Sequence, residues 1–162
     1  MEGAKTLIFE IPTLEMVKNG YPLSFLDEFS QVACLRRSEF TRMHVAITEA
    51  ITNSVEHGNL GLKSEWKEQF DEVGIDKFSI EKAARLQIPK FAQKKVKIVV
   101  EYSDKSLDIS VEDEGDGFAP ETHLCSNLDE SHGRGLFMIK AAMDSVEFAD
   151  NGRIIRMKKQ FK

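Results

Sequence analysis

The sequence predicts an α+β fold in a single domain, and three observations carry the prediction. Between Pro22 and Val55 apolar residues recur at three- and four-residue spacing, as in helices that pack by one face. From Val96 to Asp113 they alternate with polar residues, as in a hairpin with one buried side. At 162 residues the chain is the size of one domain, able to fold without disulfides or structural metals.

Leu7 to Ile11 is short, apolar and rich in β-formers, and Pro12 cannot donate to a ladder, so this is an edge strand. From Pro22 to Arg37, Phe25, Leu26, Phe29, Val32, Ala33 and Leu35 mark an amphipathic helix with Pro22 near its start. A second helix begins after Ser38 and runs through Met43, Ala46, Ile47, Ala50 and Val55 to a stop at Gly58. Residues 61–95 form a helical insertion, in which Ser64 caps a helix ending at Gly74 and Ser79 caps another ending before Pro89. Val96 to Tyr102 and Leu107 to Asp113 are core strands joined by a turn at Ser103-Asp104. Glu114 to Ser131 is polar and reads as a long loop, after which Leu136, Ile139, Met143 and Val146 lie on one helical face. Asn151-Gly152 is a two-residue hairpin turn into a last strand from Arg153 to Phe161. There are no internal repeats.

With 22 basic and 27 acidic side chains the net charge is −5, which disfavours a nucleic-acid partner. Cys34 and Cys125 are too few and too far apart for a disulfide framework or a four-ligand zinc site, and are expected to be small buried hydrophobes in a reducing compartment. Met1 to Pro12 lacks a basic segment followed by a long apolar one, and no stretch approaches the ~18 apolar residues of a membrane span. A cytoplasmic protein without a membrane partner is therefore expected.

Three elements can carry chemistry. Glu49 and Asn53 stand four residues apart in the second helix, hence on one face, with His57 a turn further. A carboxylate and an amide oxygen so placed suit a hydroxyl and a magnesium ion, although a solvated helix face has the same pattern. Asp113-Glu114-Gly115-Asp116-Gly117-Phe118 delivers an acid at the end of an apolar strand, then two glycines. Such a carboxylate can accept from an exocyclic amine such as adenine N6, and glycines let backbone approach a base and sugar; an ordinary strand-ending turn has the same composition. Gly133-Arg134-Gly135-Leu136 opens a helix after the polar loop. There, backbone N–H groups and the helix dipole attract an anion, and Arg134 adds a fork of donors, against the simpler reading of a flexible linker.

In this order, with ITEAITNSVEHGN from Ile47 to Asn59, VEDEGDGFAP from Val111 to Pro120 and GRGLFMIKAAMDSVEF from Gly133 to Phe148, the elements resemble the three nucleotide-binding boxes of the GHKL ATPases, and specifically the anti-sigma-factor serine kinases. The resemblance implies a two-layer α/β sandwich of the Bergerat type, with helices on one face of a mixed, mostly antiparallel sheet. It implies ATP and Mg²⁺ as cofactors. Asp113 would hold adenine with Gly115 and Gly117 beside it, Asn53 would ligate Mg²⁺, and His57 would line the nucleotide site. Gly133, Arg134, Gly135 and Leu136 would embrace the phosphates, residues 119–132 would form a lid, and Glu49 would be the general base toward a serine hydroxyl. The partners implied are an anti-anti-sigma (STAS-type) protein and a sigma factor.

A second function stands beside this one: a non-catalytic, ATP-gated protein-binding module. A histidine-kinase fragment is disfavoured because no phosphoacceptor helix pair precedes the boxes. The insertion departs from compact members of the family. Its Trp66, Phe70, Phe78 and Phe91 offer a surface for docking a partner or forming a homodimer, unless it is a neutral surface loop.

Overall fold

The computed structural model of the chain describes residues 3–117 and 134–162. Strands β1 (Lys5–Pro12), β2 (Lys95–Tyr102), β3 (Ser106–Glu112), β4 (Ser145–Ala149) and β5 (Ile154–Gln160) form one sheet in the order β1-β2-β3-β5-β4. Every neighbouring pair in it is antiparallel. The expected α+β sandwich is present: Val96, Ile98 and Val100 of β2, Leu107, Ile109 and Val111 of β3, and Ile155 and Met157 of β5 point into the core, while Lys95, Lys97, Glu101, Arg156 and Lys158 on the opposite face are exposed. Period-2 alternation places every second residue on one side, and here only one side is covered.

The covering layer consists of α1 (Thr13–Asn19), α2 (Phe25–Val32), α3 (Arg37–Asn53) and α6 (Arg134–Ala142), with α4 (Lys77–Leu86) and α5 (Pro89–Ala92) in the insertion. Ile47, Ile51 and Val55 from the α3 side and Ile139 from α6 are fully buried against the strands, and α6 packs along α3. Leu26 and Phe29 of α2 close one end, where Phe29 stacks edge-on against Tyr102 and Phe161.

Several boundaries differ from the sequence reading, each for a local reason. Helix α2 ends at Val32 rather than Arg37, because Cys34 adopts φ 50 and closes a Schellman motif in which the Leu35 N–H donates to the Ser30 carbonyl at 2.9 Å. That turn leaves Cys34 exposed, contrary to the buried thiol expected; Cys125 lies outside the described residues. In the insertion the Ser64 helix is only a 3₁₀ turn, Ser64–Glu68, and the chain then turns back through a Phe70–Asp76 bridge. Asp76, not Ser79, caps α4: its carboxylate accepts from the Ser79 N–H and hydroxyl, both at 2.8 Å. After α6, Met143 lies beyond the helix and Val146 belongs to β4, a strand hidden by the coincidence of its spacing with the helical series. The β4–β5 loop holds four residues, 150–153, since Ala149 pairs with Ile154. Asp150, Asn151 and Gly152 are all left-handed there, with φ 49, 56 and 82. Of the long loop from Glu114 to Ser131, residues 118–131, including Phe118, lie outside the described residues, as does the lid assigned to 119–132.

Candidate functional site

The site forms where α3 widens at its C-terminal end. Residues Ser54–Asn59 take a π-helical turn, so Gly58 does not stop the helix but sits inside it. A π turn admits one extra residue and re-aims those that follow, which is why such turns gather at functional sites. Here it presses Gly58 against the loop after β3: a Cβ at Gly58 would stand 2.5 Å from Asp113 Oδ2. A Cβ at Gly115 would strike the Gly58 carbonyl, and one at Gly117, where φ is +81, would meet Asn151 of the β4–β5 loop. The glycines thus clasp Asp113 between a helix and a hairpin with no room for side chains.

Asn59 locks this junction. Its Nδ2 donates to Thr13 Oγ1 and to the Lys95 carbonyl, both at 3.0 Å, and its Oδ1 accepts from the Glu114 N–H at 2.7 Å. Fully buried, it ties α1, β2 and the Asp113 loop to the end of α3. The Glu114 carboxylate in turn accepts from the Lys95 N–H at 2.6 Å. Sequence reasoning missed Asn59, since its partners lie far away in the chain.

Asp113 is 8% exposed. Its N–H donates to the Arg153 carbonyl at 3.0 Å, and its Oδ1 accepts from the Gly115 N–H at 2.8 Å. Oδ2 has no donor among the described residues. Burial pushes the carboxyl up to about 6; the Gly115 N–H and the charges of Arg153 and Lys94 oppose the shift without cancelling it. A desolvated carboxylate with an open acceptor suits a ligand N–H group.

A cleft of about 340 Å³ runs from Asp113 along α3 to α6, within the range of small-ligand sites. It gathers Glu49, Asn53, His57, Asp113, Gly117, Gly135 and Leu136 as the sequence reading expected, and adds Phe148, Ile155 and Gly152 from the closing hairpin. Glu49 and Asn53 face Gly135: a Cβ there would be 2.7 Å from Glu49 Oε2 and 3.7 Å from Asn53 Nδ2. His57 Nδ1 lies 2.7 Å from the Leu62 carbonyl, which can only accept, so this nitrogen carries the ring proton. Gly115 supports Asp113 from behind without lining the cleft, Arg134 is exposed at the first residue of α6, and Gly133 lies outside the described residues. The insertion contributes Lys63 and Lys67, whose membership of the site had no local signal.

The donor set fits an adenine nucleotide. The cleft's lining offers the Asp113 carboxylate to an exocyclic amine, with apolar Phe148 and Ile155 in the same lining, and the first N–H groups of α6 to phosphates. Among the described residues no three His, Cys, Asp or Glu side chains gather as a metal cage. Asn53 brings one amide oxygen to the cleft, a donor that suits an ion shared with phosphate oxygens, as Mg²⁺ sites commonly are. No described helix is long and apolar enough to cross a membrane.

The histidine kinase-like ATPase domain family matches residues 22–159, from just before α2 to within one residue of the end of β5. No curated protein matches the chain. With the family pattern running through most of the sequence and its three boxes meeting in one cleft, the chain belongs to the histidine kinase-like ATPase domain family, an ATP-binding branch of the GHKL superfamily.

Proposed function

We propose that the chain is a cytoplasmic regulatory serine kinase of the anti-sigma-factor type. It phosphorylates a serine of an anti-anti-sigma (STAS-type) partner and holds a sigma factor. The observation that carries this reading is the convergence of Glu49 and Asn53 on Gly135 at the start of α6, with Asp113 meeting Gly58 further along the same helix. From Glu49 to Gly58 the helix covers about 13 Å, room for base, sugar and phosphates in sequence.

In this arrangement Asp113 accepts the adenine N6–H, and the α6 N-terminus with Leu136 receives the phosphates. Asn53 holds Mg²⁺, which when bound neutralises charge across the phosphate oxygens. Glu49 takes the proton of the incoming serine hydroxyl. The serine Oγ then bonds to the γ-phosphorus as the bond to the bridging oxygen breaks, and ADP departs with that electron pair. Such transfer needs positioning and charge neutralisation more than covalent work by the protein.

The test is transfer of labelled γ-phosphate to candidate anti-anti-sigma proteins, with nucleotide affinity measured in parallel. Glu49→Ala is expected to bind ATP nearly as the parent does while transfer falls about 10²- to 10⁴-fold, because a general base acts chiefly in the transition state. Asn53→Ala loses both binding and transfer. A parent that binds ATP and a partner yet labels no serine replaces the kinase with an ATP-gated binding module.

A further inference from the structure

The insertion presents an apolar tip. Phe70 is 65% exposed, Val73 78%, Ile75 49% and Ile80 42%, and Val73 is the most exposed large hydrophobic residue among those described. Fraying does not explain it, because the turn is held by its own hydrogen bonds. Asp71 Oδ1 accepts from the Val73 N–H at 3.0 Å and the Ile75 N–H at 2.8 Å. The Asp71 N–H donates to the Ile75 carbonyl at 2.9 Å, and the Lys77 N–H to the Gln69 carbonyl at 2.7 Å. A preorganised apolar surface of this kind marks an interaction site.

The aromatic residues expected to dock a partner divide in two. Phe78 is buried, and Trp66 and Phe91 pack against the core, so only Phe70 remains outside. The basic side chains follow the inward rings: Lys77 and Arg85 stack over Trp66 at 4.9 and 5.3 Å, and Lys67 over Phe78 at 4.6 Å. Acids stay at the tip. Residues 63–80 hold Glu65, Glu68, Asp71, Glu72 and Asp76 against Lys63, Lys67 and Lys77, and Glu68 and Glu72 make no ion pair among the described residues.

We propose that this tip docks a basic, amphipathic segment of a partner protein, whose apolar side chains cover Phe70, Val73, Ile75 and Ile80 while its lysines or arginines meet Glu68 and Glu72. An anionic lipid surface is repelled by the same acids, and a second copy of this acidic tip would face like charge.

The single tryptophan, Trp66, lies at the base of the tip and reports on it by fluorescence. The probes are a designed amphipathic leucine–lysine peptide and its leucine–glutamate counterpart, titrated into the full chain. The leucine–lysine peptide is expected to bind, the leucine–glutamate peptide not. Phe70→Ser/Val73→Ser should weaken binding about tenfold or more, and Glu68→Gln/Glu72→Gln should weaken it and flatten its salt dependence. Both variants should keep the parent's circular dichroism and nucleotide affinity, since none of these residues lines the cleft. The proposal is overturned if neither peptide binds, if both bind equally, or if the serine variant binds as the parent does. It is also overturned if sedimentation shows a parent homodimer that the serine variant abolishes.

Discussion

Asp113 sits 8% exposed with a carboxyl pushed up from 3.8 to about 6, mainly by burial. The sign of the consequence is fixed. Below pH 4 the group is protonated whether the chain is folded or not, and contributes nothing. Between 4 and 6 the unfolded chain ionises first, so stability is lost as pH rises, and above 6 the penalty is constant at about 3 kcal/mol. Asp113→Asn should therefore stabilise the ligand-free protein at pH 8 by up to this amount, with the gain shrinking toward pH 4; urea unfolding at several pH values measures it. Nucleotide acts oppositely. The ionised carboxylate is the better acceptor for an amine, so ATP affinity should fall as pH drops through about 6. A flat affinity between pH 5 and 8 would contradict this role. Residue identities were the most legible part of the site, because Asp113, Glu49 and Asn53 stand in motifs whose types and spacing have direct chemical meaning. Gly58 reads in the sequence as a helix stop, whereas its reason in the fold is the Asp113 carboxylate packed against it from a distant segment.

Among the elements, the π turn Ser54–Asn59 decides the site's geometry by setting Gly58 against Asp113 and Asn59 into the junction of α1, β2 and the Asp113 loop. Asn59→Ala leaves the part-buried Glu114 N–H and Lys95 carbonyl without these partners and removes the buried contact to Thr13, which together costs about 2–3 kcal/mol. In a chain of this length that lowers Tm by roughly 5–10 °C. Thermal unfolding followed by circular dichroism tests it, and a change within 1 °C would show that the latch is dispensable. Nothing in SVEHGN announces a π turn, because one extra residue per turn leaves no periodic trace in six residues. β4 was hidden for a related reason: five residues are too few to separate a period of 2 from 3.6, and Val146 follows Met143 at helical spacing. β2 and β3, with eight and seven residues of clean alternation, were legible almost to the residue.

At the scale of the molecule, a sheet covered on one face leaves its polar side open and directs one edge of the helical layer into a cleft. The sandwich was readable from local periodicity and motif order, whereas pairings such as β3 with β5 depend on contacts between distant segments. The central proposal is an adenine nucleotide bound in this cleft with its base on Asp113. Calorimetric titration of ATP and GTP into the parent and Asp113→Ala tests that claim most directly. Removing a charge-assisted hydrogen bond costs about 1.5–3 kcal/mol, so ATP affinity should fall roughly 10- to 150-fold in the variant, and the parent should prefer ATP to GTP. Unchanged ATP affinity in Asp113→Ala, or equal affinity of the parent for the two nucleotides, would contradict it.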